Sequence, residues 1–135
     1  MMIQRAVVAG IIIKRNSVLL IKRNKNEKHF PCVWELPSGK VEYKEDPNKA
    51  VIREVKEETG LNVKIVKLLS VHHFMIDKRH CIQINYLVKS KNYKVKLSEE
   101  HEDYKWATKY ELKKLNTYKD TFKDIRNVAL LALKN

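Results

Sequence analysis

The sequence predicts an α/β protein. Two observations carry that class: segments rich in β-branched and aromatic residues, and helical stretches with clear start and stop signals between and after them. A third observation marks one helix as special. Arg53-Glu54-Val55-Lys56-Glu57-Glu58 places five charged side chains in six positions.

Gln4 to Lys14 and Val18 to Arg23 read as strands joined by the turn Arg15-Asn16-Ser17. Asn24 to Val33 is a polar loop. Asp46 then offers an N-cap and Pro47 a first helical residue, while Gly60 suits the left-handed residue past a helix end. The spacing predicts a helix from Pro47 to Thr59. Asn62 to Phe74 and Cys81 to Ser90 are β-rich, with Asp77-Lys78-Arg79 as the turn between them. Tyr104 to Ala107 is a short strand. Thr108 and Glu111 have the spacing of a capping box and open a short helix. Thr121 to Lys134 forms an amphipathic helix, apolar at Phe122, Ile125, Val128, Ala129 and Ala132.

A chain of 135 residues suits one domain with a single core, here 1–135. Three glycines and three prolines leave little room for flexible linkers. The apolar run Ala6 to Ile13 is too short to span a bilayer and lacks a signal-peptide cleavage pattern. The expectation is a soluble cytoplasmic protein with no membrane partner. Cys32 and Cys81 form no metal or redox motif and are expected to be reduced. A net charge of +12 has two readings, attraction to polyanions or a lysine-rich composition on every face. No compact basic run and no interleaving of arginine with aromatics marks a nucleic-acid platform.

The predicted helix from Pro47 carries the chemistry. At about 100° per residue, Glu54, Glu57 and Glu58 share one arc roughly 100° wide. Val51, Ile52 and Val55 continue around the part that would pack on a core. Arg53 lies one turn before Glu57 and can hold it by a charge-assisted hydrogen bond. Three carboxylates so close repel one another unless a cation lies between them. Hard oxygen ligands suit Mg²⁺ or Mn²⁺.

The full frame is Gly39, five residues, Glu45, seven residues, then Arg53-Glu54-Val55-x-Glu57-Glu58-x-Gly60-Leu61. It resembles the signature of the Nudix hydrolases at every defined position. Trp34-Glu-Leu-Pro-Ser-Gly39 is similar to the family's lead-in, with Ser38 replacing a usual glycine, and Glu99 to Ala107 resembles its acidic strand. The resemblance covers roughly residues 5 to 115. It implies a mixed sheet sandwiched between helices, with a loop–helix–loop metal site across one end. It also implies hydrolysis of a nucleoside diphosphate linked to another group.

Carried over residue by residue, the resemblance implies Glu54, Glu57 and Glu58 as metal ligands, with the Gly39 carbonyl as another candidate. Glu100 would be an extra ligand or general base, with Glu99 and Glu102 as rivals. Arg53 would orient a ligand carboxylate, and Glu45 and Gly60 would support the box. Mg²⁺ is the implied cofactor, with Mn²⁺ as a substitute.

Ile76 and Asp77 stand where ADP-ribose-hydrolysing relatives carry a proline. The tyrosine of dinucleoside-polyphosphate hydrolases is also missing from that neighbourhood. By elimination the chain looks most like a MutT-like nucleoside triphosphate pyrophosphohydrolase, with Arg23, Arg79 and Trp34 as candidate nucleotide contacts; Trp34 and Phe74 could each stack a base or pack in the core. The alternatives are a pyrophosphohydrolase acting on 5′-triphosphorylated RNA and a non-catalytic nucleotide-binding module. The protein would be a monomer or homodimer. His72 and His73 are adjacent on a strand, point to opposite faces and cannot jointly chelate; they and His101 read as structural or surface residues.

Overall fold

The computed structural model describes residues 2–115 and 119–134, the side chains of 119–124 excepted. Among these described residues seven strands and three helices follow in chain order. They are β1 (Ile3–Lys14), β2 (Ser17–Arg23), β3 (Trp34–Glu35), β4 (Ser38–Lys40), α1 (Pro47–Thr59), β5 (Val63–Ile76), β6 (Arg79–Ser90), β7 (His101–Thr108), α2 (Lys109–Lys114) and α3 (Lys119–Leu133).

The strands form a mixed sheet in the order β3-β2-β1-β6-β5, with β4 added to β1 and β7 to β2. β1 is the spine. It runs parallel to β6 from Ile3↔Arg79 to Ile12↔Val88, and its far end turns into β2 at Lys14↔Ser17. All other pairings are antiparallel.

β1 and β2 are apolar on both faces because both faces are covered. Val8, Ile12, Leu19 and Ile21 point to one core, where Val51 and Val55 of α1 meet them. Ala9, Ile11, Val18 and Leu20 point to the other, under Leu112 of α2 and Val128, Ala129 and Ala132 of α3. This is the expected layering of helices about a mixed sheet. Ile125 also packs on that second core. The expected apolar role of Phe122 lies outside the described residues.

α1 takes the expected bounds. The Asp46 side chain accepts from the Asn48 N–H at 2.8 Å, and Gly60 closes the helix in the left-handed region at φ 74°. Val51 and Val55 are fully buried, whereas Ile52 is 38% exposed and does not belong to the packed face. Gly10 on β1 lets the helix lie close, since a Cβ there would stand 2.6 Å from Val55 Cγ2.

Several elements differ from expectation, among them α3, which spans Lys119–Leu133. The β5–β6 strands run closer together, leaving only Asp77-Lys78 in the turn, with Asp77 at φ 54°. β7 starts earlier, at His101, because it pairs along nearly all of β2. β3 and β4 were not expected at all; each is held by a longer neighbour, β2 and β1 respectively.

Candidate metal and nucleotide site

The site forms where two pieces of chain meet the second half of α1. β4 brings Ser38 and Gly39 against the helix. The Ser38 N–H donates to Glu58 Oε1 at 2.8 Å. Ser38 keeps ordinary backbone angles, so a serine is tolerated at this turn position. A Cβ on Gly39 would fall 2.2 Å from the Glu54 carboxyl carbon, which leaves room for hydrogen only. The other piece is the segment before β7. It runs beside the helix end, with the Lys96 N–H donating to Thr59 O at 2.8 Å and the Ser98 N–H to Glu58 O at 3.3 Å. It thereby delivers Glu100 and His101.

Arg53 organises the carboxylates. Its Nε and Nη2 donate to the two Glu45 oxygens at 2.7 and 2.8 Å. Its Nη1 donates to Glu54 Oε1 at 2.8 Å and to Glu57 Oε2 at 3.2 Å. The fork also reaches the Lys40 carbonyl at 3.2 Å. A planar guanidinium is suited to such divided work. Its hydrogen bonds to Glu45 pull that carboxyl down to about 2. The same bonds hold the guanidinium proton more tightly than usual.

Glu54 and Glu58 are shifted the other way. Burial raises the Glu54 carboxyl; the Arg53 hydrogen bond and charge oppose this, and the charges of Glu57 and Glu100 add to it. Burial raises Glu58 well above the usual range, and Glu35, Glu54 and Glu100 push in the same direction. Glu58 is only 7% exposed. A group of carboxylates that resist ionising together fits a divalent cation, which would relieve the repulsion.

Two residues missed in the sequence complete this centre. Glu35 Oε2 lies 2.9 Å from Nε2 of His101, whose side chain is closed to solvent. Glu35, Glu58 and His101 offer ligand atoms within 4.8 Å of one another and could hold a metal ion. The signal for Glu35 was its place next to Trp34 in the lead-in. For His101 it was its position directly after Glu100.

A cavity of about 580 Å³ opens beside these acids. Gly39, Glu54, Glu58 and Glu100 line it; Glu57 does not, and its side chain stays 57% exposed on Arg53. Arg23 and Arg79 line it too, as do His72 and Phe74. Arg23 is already engaged. Its Nε donates to the His29 carbonyl at 2.9 Å, and Nη1 stands 3.7 Å from Glu35 Oε2. Arg79 Nη2 stands 3.8 Å from Asp77. His73 points the opposite way from His72 and meets His80 on the outer face at 3.0 Å.

Trp34 is a correction. It lines a separate hollow with Cys32, Tyr110 and Lys114, and Lys105 Nζ sits 4.4 Å from its ring centre. Alternation along β3 sends Glu35 into the acidic cavity and its neighbour Trp34 to the other side. Trp34 therefore packs against the second core and does not face the carboxylates.

Comparison with known proteins agrees with this geometry. The family model described as the NUDIX domain matches residues 4–127. An ADP-ribose pyrophosphatase of Methanocaldococcus jannaschii is 51% identical over 65 residues, covering 48% of this chain and 37% of that protein. The chain thus matches little more than a third of the length of that relative. An 8-oxo-dGTP diphosphatase of Proteus vulgaris is 32% identical over 82 residues, covering 61% of this chain and 73% of that protein. The crystal structure of a MutT protein from Methanosarcina mazei Go1 superposes with a TM-score of 0.86 at 27% identity, covering 99% of this chain and 98% of that one. With the box residues gathered on α1 and the family model spanning nearly the whole chain, this protein belongs to the NUDIX hydrolases and has MutT-like relatives.

Proposed function

We propose that this chain acts as one domain and hydrolyses a nucleoside triphosphate, ribo or deoxy, to the monophosphate and pyrophosphate. The observation that carries the reading is the single cavity that joins the carboxylates of α1 to an aromatic and amide-bearing wall on β5 and β6. The acidic end suits a pyrophosphate with its cations, and the opposite wall suits a nucleoside. The 8-oxo-dGTP diphosphatase among the relatives supports a triphosphate substrate.

Glu54, Glu57 and Glu58 would hold the cation with the Gly39 carbonyl, and Glu100 would add a ligand or take the proton of the attacking water. Mg²⁺ is the natural choice for this oxygen-rich set and Mn²⁺ the substitute. Such an ion supplies charge neutralisation at the phosphoryl oxygens and a more acidic water. Arg53 keeps Glu54 and Glu57 in place, while Glu45 and Gly60 hold the ends of the box. Arg23 and Arg79 bring positive charge to the nucleotide. The net charge of +12 favours a second reading, hydrolysis at a triphosphorylated RNA 5′ end.

The test is a substrate panel with Mg²⁺ and then Mn²⁺: ordinary and oxidised triphosphates, ADP-ribose, a diadenosine polyphosphate and triphosphorylated RNA. Metal-dependent release of monophosphate and pyrophosphate, abolished by Glu57→Gln, is the expected result. Cleavage of ADP-ribose or RNA alone would overturn the substrate class. Inactivity on every member would favour a nucleotide-binding module.

A further inference from the structure

The wall opposite the acids has an order that the box does not explain. Three cross-strand pairs face the cavity: His72↔Gln83, Phe74↔Cys81 and Ile76↔Arg79. The first pair continues across the sheet, since Gln83 is paired with Val7 of β1 and Val7 with Lys40 of β4. Gln83 therefore lies two strands from the start of the box, about 10 Å away at ordinary strand spacing. A ligand whose phosphates sit among the carboxylates would bring its nucleoside to Gln83.

Gln83 is also held in one orientation. Its Nε2 donates to Asn85 Oδ1 at 2.8 Å. Asn85 is fully buried. Its own amide donates to Ser70 Oγ at 3.2 Å and lies 3.0 Å from His72 Nδ1, which accepts the second hydrogen. All of the Asn85 side-chain groups are thus used in fixing its neighbours. Every buried side-chain nitrogen or oxygen among the described residues has a partner. The Gln83 carbonyl oxygen accepts no hydrogen bond among the described residues, so it is not a sealed atom and is free to face the cavity that Gln83 lines.

We infer that Gln83, clamped by Asn85, reads the hydrogen-bonding edge of a nucleobase and sets which base this enzyme prefers. A fixed amide offers one donor and one acceptor side by side, the complement of the adjacent donor and acceptor on a base edge. A ribose phosphate carries no such planar pair. Phe74, in the next rung, supplies a ring for the base face. Asn85 is a positioning residue and does not touch the ligand. The inference rests on the nucleotide reading above but is tested apart from turnover.

The experiment titrates wild type, Gln83→Leu and Gln83→Glu with the four common nucleoside 5′-monophosphates and ribose 5-phosphate, with Mg²⁺ present, by calorimetry. These ligands are products or fragments, so no hydrolysis is needed. Wild type should bind at least one nucleotide roughly 10-fold tighter than ribose 5-phosphate, the worth of one good hydrogen bond. Both Gln83 variants should shrink that gap or change which base is favoured. Asn85→Asp keeps the acceptor for Gln83 and loses the donors to Ser70 and His72; it should raise KM on the preferred substrate and leave kcat near wild type. Equal wild-type affinity for ribose 5-phosphate and every nucleotide would overturn the inference. So would an unchanged base preference in folded Gln83→Leu and Gln83→Glu. Base-selective binding without hydrolysis of any triphosphate would support this inference and overturn the proposed reaction.

Discussion

Gly39 lies directly against the carboxylate of Glu54: a Cβ on Gly39 would stand 2.2 to 2.5 Å from all three atoms of that group. The loop and the helix are therefore fitted to each other at hydrogen-atom scale. Gly39→Ala must push Glu54 off its place on Arg53. We expect a loss of about 10–100-fold in Mn²⁺ affinity, the scale seen when ligand orientation is disturbed. Calorimetric titration with Mn²⁺ checks it. Unchanged affinity would mean that Glu54 does not hold the ion.

Arg53→Lys keeps the charge and loses the fork. A lysine cannot serve Glu45, Glu54 and Glu57 together. Activity on the preferred substrate should fall by about 10–100-fold. Wild-type turnover in a folded variant would remove Arg53 from the positioning role.

Glu57→Gln and Glu58→Gln should each lower kcat by roughly 10²–10⁴-fold, the scale of losing a positioned acid or base. Glu58 is held by the Ser38 N–H, so its variant should also fold. Near-normal kcat in both would sink the assignment of this helix face.

The Glu45–Arg53 pair predicts a pH dependence of stability. Its hydrogen bonds with Arg53 lower the Glu45 carboxyl from 4.5 to about 2 in the folded protein. A depressed carboxyl stabilises the fold fully above the unfolded value, and the effect is lost as pH falls through the folded value. The Tm difference between wild type and Glu45→Gln should therefore be constant near neutrality and shrink between pH 4.5 and about 2. A difference that ignores pH across that window would contradict the ion pair.

Gly10→Ala tests how α1 seats on the sheet. The added methyl would meet Val55 Cγ2 at 2.6 Å and Val51 Cγ2 at 3.3 Å. Overpacking of this kind costs about 1–3 kcal/mol. Urea unfolding measures it, and a neutral result would show that the helix can shift freely.

The parts legible in the sequence are those that local chemistry decides. α1 carries its own start in Asp46-Pro47 and its own stop in Gly60, so its bounds are read directly. The capping box of Thr108 and Glu111 is equally local, and both of its hydrogen bonds are present. β3 and β4 are two and three residues long and exist through their partners, which no local pattern announces. The same gap hid Glu35 and misplaced Trp34. Which of two adjacent residues enters the cavity depends on how β3 docks on β2 at Ile21↔Glu35 and Lys22↔Trp34. His101 reads from sequence as a structural or surface residue, and its partner Glu35 is found only once β7 is in place.

The parallel ladder between β1 and β6 has a consequence for how the protein comes into being. It joins the opening strand of the chain to one beyond its midpoint, and the whole of α1 lies within the loop that the ladder closes. Long loops of this kind close slowly, because chain entropy is lost before the contacts repay it. During synthesis α1 leaves the ribosome with its carboxylates formed in sequence but not yet framed. Glu100 cannot join them until the chain beyond β6 has been made. The nascent chain should therefore reach its full affinity for metal only late, once the residues beyond Ser90 have emerged, and not as the helix itself appears.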